Sequence, residues 1–159
     1  LGRLVRANIA SGTYFELPEW MKNYTVHFGN HYRQALHNYA TGKFHDVPHS
    51  WLLAFKHVRK GDMTTYINFA LGMTSHIVCD LGIAISELDP TGTNATAKKS
   101  DSEKINGIIQ HCSKELVLAL VNFYAPIIDL TQWITLLNLV LDEVIVIIRD
   151  IAWNEAIFI

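Results

Sequence analysis

Apolar positions recur along this chain at three- and four-residue spacings, and no segment alternates apolar and polar residues as a half-buried strand would. That period predicts helices nearly throughout. Residues 1–16 read as a peripheral amphipathic segment broken at Ser11-Gly12. Pro18 stands where a helix can open, because the first turn has no use for its missing N–H, and the pattern continues from Glu19 to Ala40 until Thr41-Gly42 stops it. Phe44 to Pro48 is turn chemistry. A third helix is expected from His49 to Arg59, ended by Gly61, and a fourth from Met63 to Leu88 with Gly72 and Gly82 as soft points. After the turn sequence Leu88-Asp-Pro-Thr-Gly-Thr-Asn94, Ser100 and Glu103 read as a capping box opening a helix from Asp101 to Tyr124, closed by Ala125-Pro126. The last helix covers Asp129 to the C-terminus. The fold class implied is all-α, a single-domain up-and-down bundle of five or six helices with 62–88 and 101–124 as an antiparallel hairpin.

The fourth helix carries the most informative pattern. From Tyr66 to Ile85 it is almost wholly apolar, yet it holds His76 and Asp80 four residues apart. That spacing puts both side chains on one helix face. Two titratable groups in an apolar helix are costly unless they are hydrogen-bonded or coordinated, so a site is expected here. The pair has two readings. It is an acid/base or metal-binding couple, or it is a buried pair that satisfies itself and holds helices together. In the metal reading His27 and His31, also at i, i+4, supply two further donors, a set suited to zinc, iron or manganese inside a bundle.

Five motifs occur in order: Phe28-Gly-Asn30-His-Tyr32-Arg-Gln-Ala-Leu36, Pro48-x-x-Trp51-x-x-x-Phe55, Leu71-Gly72-Met73-x-x-His76-x-x-x-Asp80-Leu81, Asp101-x-x-x-Ile105-Asn106 and Arg149-x-x-Ala152-Trp153. With them, residues 24–155 resemble a mostly bacterial domain-of-unknown-function family of helical proteins, family 5995. That family carries a Gly-Met-Asn-Ala-His-Ile-Asn-x-Asp-Leu core segment. The chain departs from the pattern at Thr74, Cys79 and Ser102, which leaves the His76/Asp80 pair intact and alters its surroundings. The resemblance implies the fold and the position of the site, not a reaction. It places Tyr32, Asn106 and Trp153 beside His76 and Asp80 around an enclosed apolar pocket. Arg149 either adds a guanidinium there or pairs with Asp142, Glu143 or Asp46.

Charge and composition narrow the partners. Half of the 159 residues are apolar and the net charge is −2. No basic run is longer than two residues, as at Lys98-Lys99, so nucleic acid is not an expected partner. Residues 130–148 have the length of a bilayer span. Asp142 and Glu143 fall near the middle of that run, which favours a buried bundle helix over a membrane span. One of these two acids, facing inward, is a further acid/base candidate. His37, His45, His49 and His57 sit near helix ends or turns and read as surface residues; His111 is left out of the site. There is no nucleophile elbow, phosphate-binding glycine loop, dinucleotide fingerprint or Cys-x-x-Cys.

The cysteines and sequons bear on location. Cys79 lies nine residues before the 89–100 loop and Cys112 eleven after a helix start at Asp101. At about 1.5 Å of rise per residue the two thiols would be level in the hairpin, which allows a Cys79–Cys112 disulfide. Two separate buried thiols are the alternative. Asn23-Tyr-Thr and Asn94-Ala-Thr are glycosylation sequons, the second in the most obvious loop. Together these favour a secreted or lumenal protein over a cytoplasmic one. The chain opens on Leu1 without a charged-then-apolar leader, as a processed or trimmed form would.

Three functions fit. The first is a small helical enzyme, a metal-assisted or acid/base hydrolase or lyase, acting on an apolar or amphiphilic small molecule through His76 and Asp80. The second is a non-catalytic carrier of a hydrophobic ligand. The third is a structural protein forming homo-oligomers through its apolar C-terminal helix.

Overall fold

A computed structural model describes residues 2–124 and 143–158, without the side chains of 65, 66, 113, 114 and 116–124. The described residues are helical almost throughout and contain no strand. The order is α1 (Gly2–Ser11), α2 (Pro18–Ala40), a short 3-10 turn (Phe44–Asp46), α3 (His49–Lys60), α4 (Thr65–Met73), a π-helical segment (Thr74–Asp80), α5 (Leu81–Ser86), α6 (Ala95–Tyr124) and α7 (Ile145–Ala156). The all-α class expected from the pattern is therefore the class observed. The apolar run 130–148 lies largely outside the described residues, and Asp142 with it.

Local signals explain most boundaries. Pro18 opens α2, and α3 ends on Gly61, whose φ of 66° is the left-handed conformation a helix C-terminus favours. Thr64 caps α4, its side chain accepting from the Ile67 N–H. One boundary is corrected. The helix expected from Asp101 begins at Ala95, where the Lys98 N–H reaches the Asn94 carbonyl at 2.9 Å. Asp101 is not capping its own helix. It is fully buried, and its two oxygens accept the backbone N–H groups of Glu16 (3.0 Å) and Leu17 (2.7 Å), the residues just ahead of α2. The Lys104 ammonium sits 2.7 Å from the same carboxylate. A side chain of α6 thus supplies acceptors at the start of α2, where N–H groups lack helical partners.

The chain divides into two compact units, one of residues 1–22 and 91–150, the other of 23–90 and 151–159. In the first, α1 packs on α6 and Val5, Phe15, Met21, Ile105 and Ile108 are buried. In the second, Ala35 of α2, Val47, and Trp51 and Ala54 of α3 form a core against which Tyr39, Phe55 and Leu71 pack. The residues 67–86 of α4, the π segment and α5 run as one helix long and apolar enough to cross a membrane by length and composition. Within it Ser75, Asp80, Leu81, Ala84 and Ile85 are buried.

Candidate functional site

The π segment spans the two residues singled out in the sequence. Its wide turn is closed by the Leu81 N–H on the His76 carbonyl, five residues back. Such turns insert one residue into an α-helix and are common at functional sites. Here the turn ends on Asp80, whose residue is 1% exposed.

Asp80 takes two partners on one oxygen. The Trp51 indole N–H donates to Oδ2 at 2.9 Å, and His76 Nδ1 lies 3.0 Å from the same atom. A carboxylate can only accept, so with Asp80 ionised Nδ1 carries the hydrogen and Nε2 is left as a free lone pair. His76 is about a third exposed while Asp80 is sealed, so solvent reaches the imidazole and not the carboxylate. This is the orienting half of the catalytic triad arrangement, a buried carboxylate fixing an imidazole tautomer.

Aromatic rings hold the imidazole in place. Phe28 stacks on it at 3.9 Å with planes 13° apart, and Tyr32 and Trp51 stand 6.0 and 6.1 Å away. Tyr32 also packs on Trp51 at 4.9 Å, and Trp51 stacks on Phe55 at 5.2 Å. On α2 the residues turned to His76 are Phe28 and Tyr32, an i, i+4 pair. On α3 they belong to the i, i+4 pair Trp51 and Phe55. The residues missed by sequence reasoning are Trp51 and Phe28. An indole N–H needs a partner when buried, and that requirement is the signal by which Trp51 could have been found.

The four-ligand metal set is not assembled. His27 and His31 precede Phe28 and Tyr32 by one position each, a rotation of about 100° around an α-helix. They turn instead to Glu87, with His27 Nδ1 at 2.9 Å and His31 Nε2 at 3.2 Å from its Oε2. The three line an open cleft of about 660 Å³ with Asn30 and Gln34. Burial pushes the Glu87 carboxyl up, but hydrogen bonds from the two imidazoles outweigh it and leave the group below its ordinary value. Among the described residues no group of three or more His, Cys, Asp or Glu is placed to hold a metal ion.

The remaining expected site residues fall in two places. Tyr32 lies beside the dyad, as expected. Trp153 is buried in the part of α7 that belongs to the second unit. Asn106 and Arg149 belong to the first unit and bind each other, the Arg149 Nε–H donating to Asn106 Oδ1 at 2.6 Å and Nη2 to the Ser102 carbonyl at 2.8 Å. At Ser102, where the resemblance leads one to expect Phe, the main acceptor is the backbone carbonyl that any residue offers, with the Ser102 Oγ 3.5 Å from the same Nη2.

The disulfide is corrected as well. Cys79 and Cys112 are both free thiols, each half-buried. The helix start at Asp101 on which the expectation was built is itself replaced by Ala95, and Cys79 sits in the π segment, where ordinary α spacing does not hold. Asn94, the loop sequon, is exposed with φ 64°, whereas Asn23 lies on the exposed surface of α2.

The model of a family of unknown function, DUF5995, matches residues 2–158. The chain belongs to that family. No curated protein and no solved structure matches it. Family membership therefore carries no reaction with it.

Proposed function

We propose that the His76–Asp80 dyad is the working site of a small helical enzyme, with His76 as general base and acid toward an apolar or amphiphilic small molecule. The observation that carries this reading is the division of burial within the pair. A sealed carboxylate held by Trp51 and His76 orients an imidazole that is itself about a third exposed, with Nε2 not used in the bond to Asp80. A pair serving only to join helices has no need of an exposed imidazole. The aromatic rings of Phe28, Tyr32 and Trp51 suit an apolar reactant, and Asp80 orients the imidazole. A hydrolase or lyase of the acid/base type is the class this chemistry serves. Metal assistance loses its support with His27 and His31 committed to Glu87, since the dyad alone offers two donors where zinc sites use three or four.

The test is a pair of variants, His76→Ala and Asp80→Asn, assayed on short- and medium-chain p-nitrophenyl esters beside their thermal unfolding. Loss of turnover in His76→Ala with the fold retained supports the reading. Unaltered turnover, or none in the wild type with only a lower melting point in the variants, leaves the pair structural and favours the third function. A hydrophobic-ligand carrier is the second reading, favoured by the same ring shell; an organic ligand co-purifying with a chain that turns nothing over would select it.

We read 67–86 as a packed helix and propose no membrane span, because its Asp80 is committed to Trp51. A secreted or lumenal location now rests on the Asn94 sequon, with the free thiols no longer behind it.

A further inference from the structure

The last turn of α3 and the 3-10 turn before it enclose a cleft of about 500 Å³ lined by Tyr39, Phe44, Lys56, Arg59 and Lys60. Its two ends differ in chemistry. Tyr39 and Phe44 meet edge to face at 5.3 Å and make an apolar floor, with Phe44 44% exposed. Three cations stand on the same cleft. Among the described residues Asp62 pairs with Lys60 at 2.8 Å, while Lys56 and Arg59 have no acidic partner. Cations in the last turn of a helix are favoured by its dipole, which accounts for their presence at Arg59 and Lys60. It does not account for an exposed phenyl ring set among them, nor for Lys56 a turn earlier. Exposed aromatic surface beside unpaired cations complements one ligand type: an anionic head with an apolar body.

We propose that this cleft is a binding site for a free amphiphilic organic anion, its carboxylate or phosphate head held by Lys56 and Arg59 and its apolar body laid on Phe44 and Tyr39. Arg59 offers a planar fork suited to two oxygens, and Lys56 a point charge beside it. The volume lies within the range of small-molecule sites. The floor is joined to the dyad's surroundings by ring contacts, Tyr39 on Phe55 at 5.0 Å and Phe55 on Trp51 at 5.2 Å. The site stands on its own residues and holds whether or not His76 is catalytic.

Isothermal titration of the full chain with octanoate, octanol and acetate tests it. Octanoate should saturate one site, and octanol, which lacks the charge, and acetate, which lacks the body, should each bind at least about tenfold more weakly. The double variant Lys56→Ala/Arg59→Ala should weaken octanoate by a similar factor, and Phe44→Ala by less. Acetate binding as tightly as octanoate, or octanoate indifferent to the double variant, overturns the proposal. So does binding to phosphatidylglycerol vesicles without saturable binding of octanoate, which would make the patch a membrane contact. If His76→Ala and not the double variant removes octanoate, the anion sits at the dyad. The cleft assignment then falls while the catalytic reading stands.

Discussion

The indole N–H of Trp51 ends 2.9 Å from the carboxylate of Asp80, 29 positions further along the chain. The contact joins α3 to the π segment and consumes one of the few donors available to a carboxylate that water does not reach. Trp51→Phe keeps the ring and removes the donor. It should destabilise the fold by about 1–3 kcal/mol, the cost of leaving a buried acceptor short of a partner. Urea unfolding measures this, and a variant as stable as the wild type would show that the bond contributes nothing net.

Asp101 invites a parallel experiment at the other end of the fold. Asp101→Ala strips acceptors from the Glu16 and Leu17 N–H groups and should cost about 1–2 kcal/mol, the scale of a lost N-cap. Hydrogen exchange should quicken in the first turn of α2 before it quickens in α3. Asp101 also raises the Lys104 ammonium above its ordinary value, chiefly through their hydrogen bond. The stability that comes from this raised group is complete below pH 10.5 and is lost as pH rises through the folded value.

Two carboxyls predict the acid limb. Glu87 is held below its ordinary 4.5 by His27 and His31 against the effect of burial. Asp62 is lowered to about 2 by hydrogen bonds from Lys60 and then His57. A depressed carboxyl stabilises the fold above its unfolded value and loses that contribution as pH falls through the folded one. The melting-point difference between wild type and Glu87→Gln should therefore shrink as pH falls below 4.5. For Asp62→Asn it should persist lower, closing between pH 3.8 and about 2. Parallel curves for the wild type and both variants down to pH 2 would refute the assignment.

The two glycines bracketing the start of the α4 rod should answer alanine in opposite senses. A Cβ at Gly72 meets nothing within 4 Å on an ordinary helical backbone, so Gly72→Ala should stabilise by about 0.5–1 kcal/mol. Gly61, at φ 66°, should lose about 1 kcal/mol or more. Thermal unfolding gives both signs in one comparison.

Both thiols should react with a disulfide reagent in denaturant without prior reduction, giving two equivalents per chain. None would restore the bridge expected between Cys79 and Cys112.

What was legible in the sequence was local. Pro18, Thr41-Gly42 and Gly61 act through their own backbone, so their helix ends could be read directly. His76 and Asp80 betrayed themselves by polarity in an apolar run. What stayed hidden depended on partners far along the chain. Asp101 looked like the first residue of its own helix, yet the N–H groups it serves belong to Glu16 and Leu17. His27 and His31 had metal-ligand spacing, but spacing within a helix does not say which way the stripe points. That was decided by Phe28 and Tyr32 occupying the face toward His76. The start of α6 at Ala95 removed the boundary on which the level placing of Cys79 and Cys112 was argued, an error of six residues in a helix start carried into an inference about chemistry.

The wide turn at Thr74–Asp80 sets local comfort against assembly. Removing one residue, for instance Val78, would let the segment return to ordinary α-helical hydrogen bonding, which is the better geometry for the rod by itself. It would also shift the register of everything beyond it by one position. Leu81, Ala84 and Ile85 would then leave the positions in which they are buried, and the carboxylate would lose its alignment with the indole of Trp51. A chain shortened by this single residue should be more helical as a fragment and less cooperative as a whole. The irregularity is a phase adjustment, letting one continuous rod present two differently registered faces.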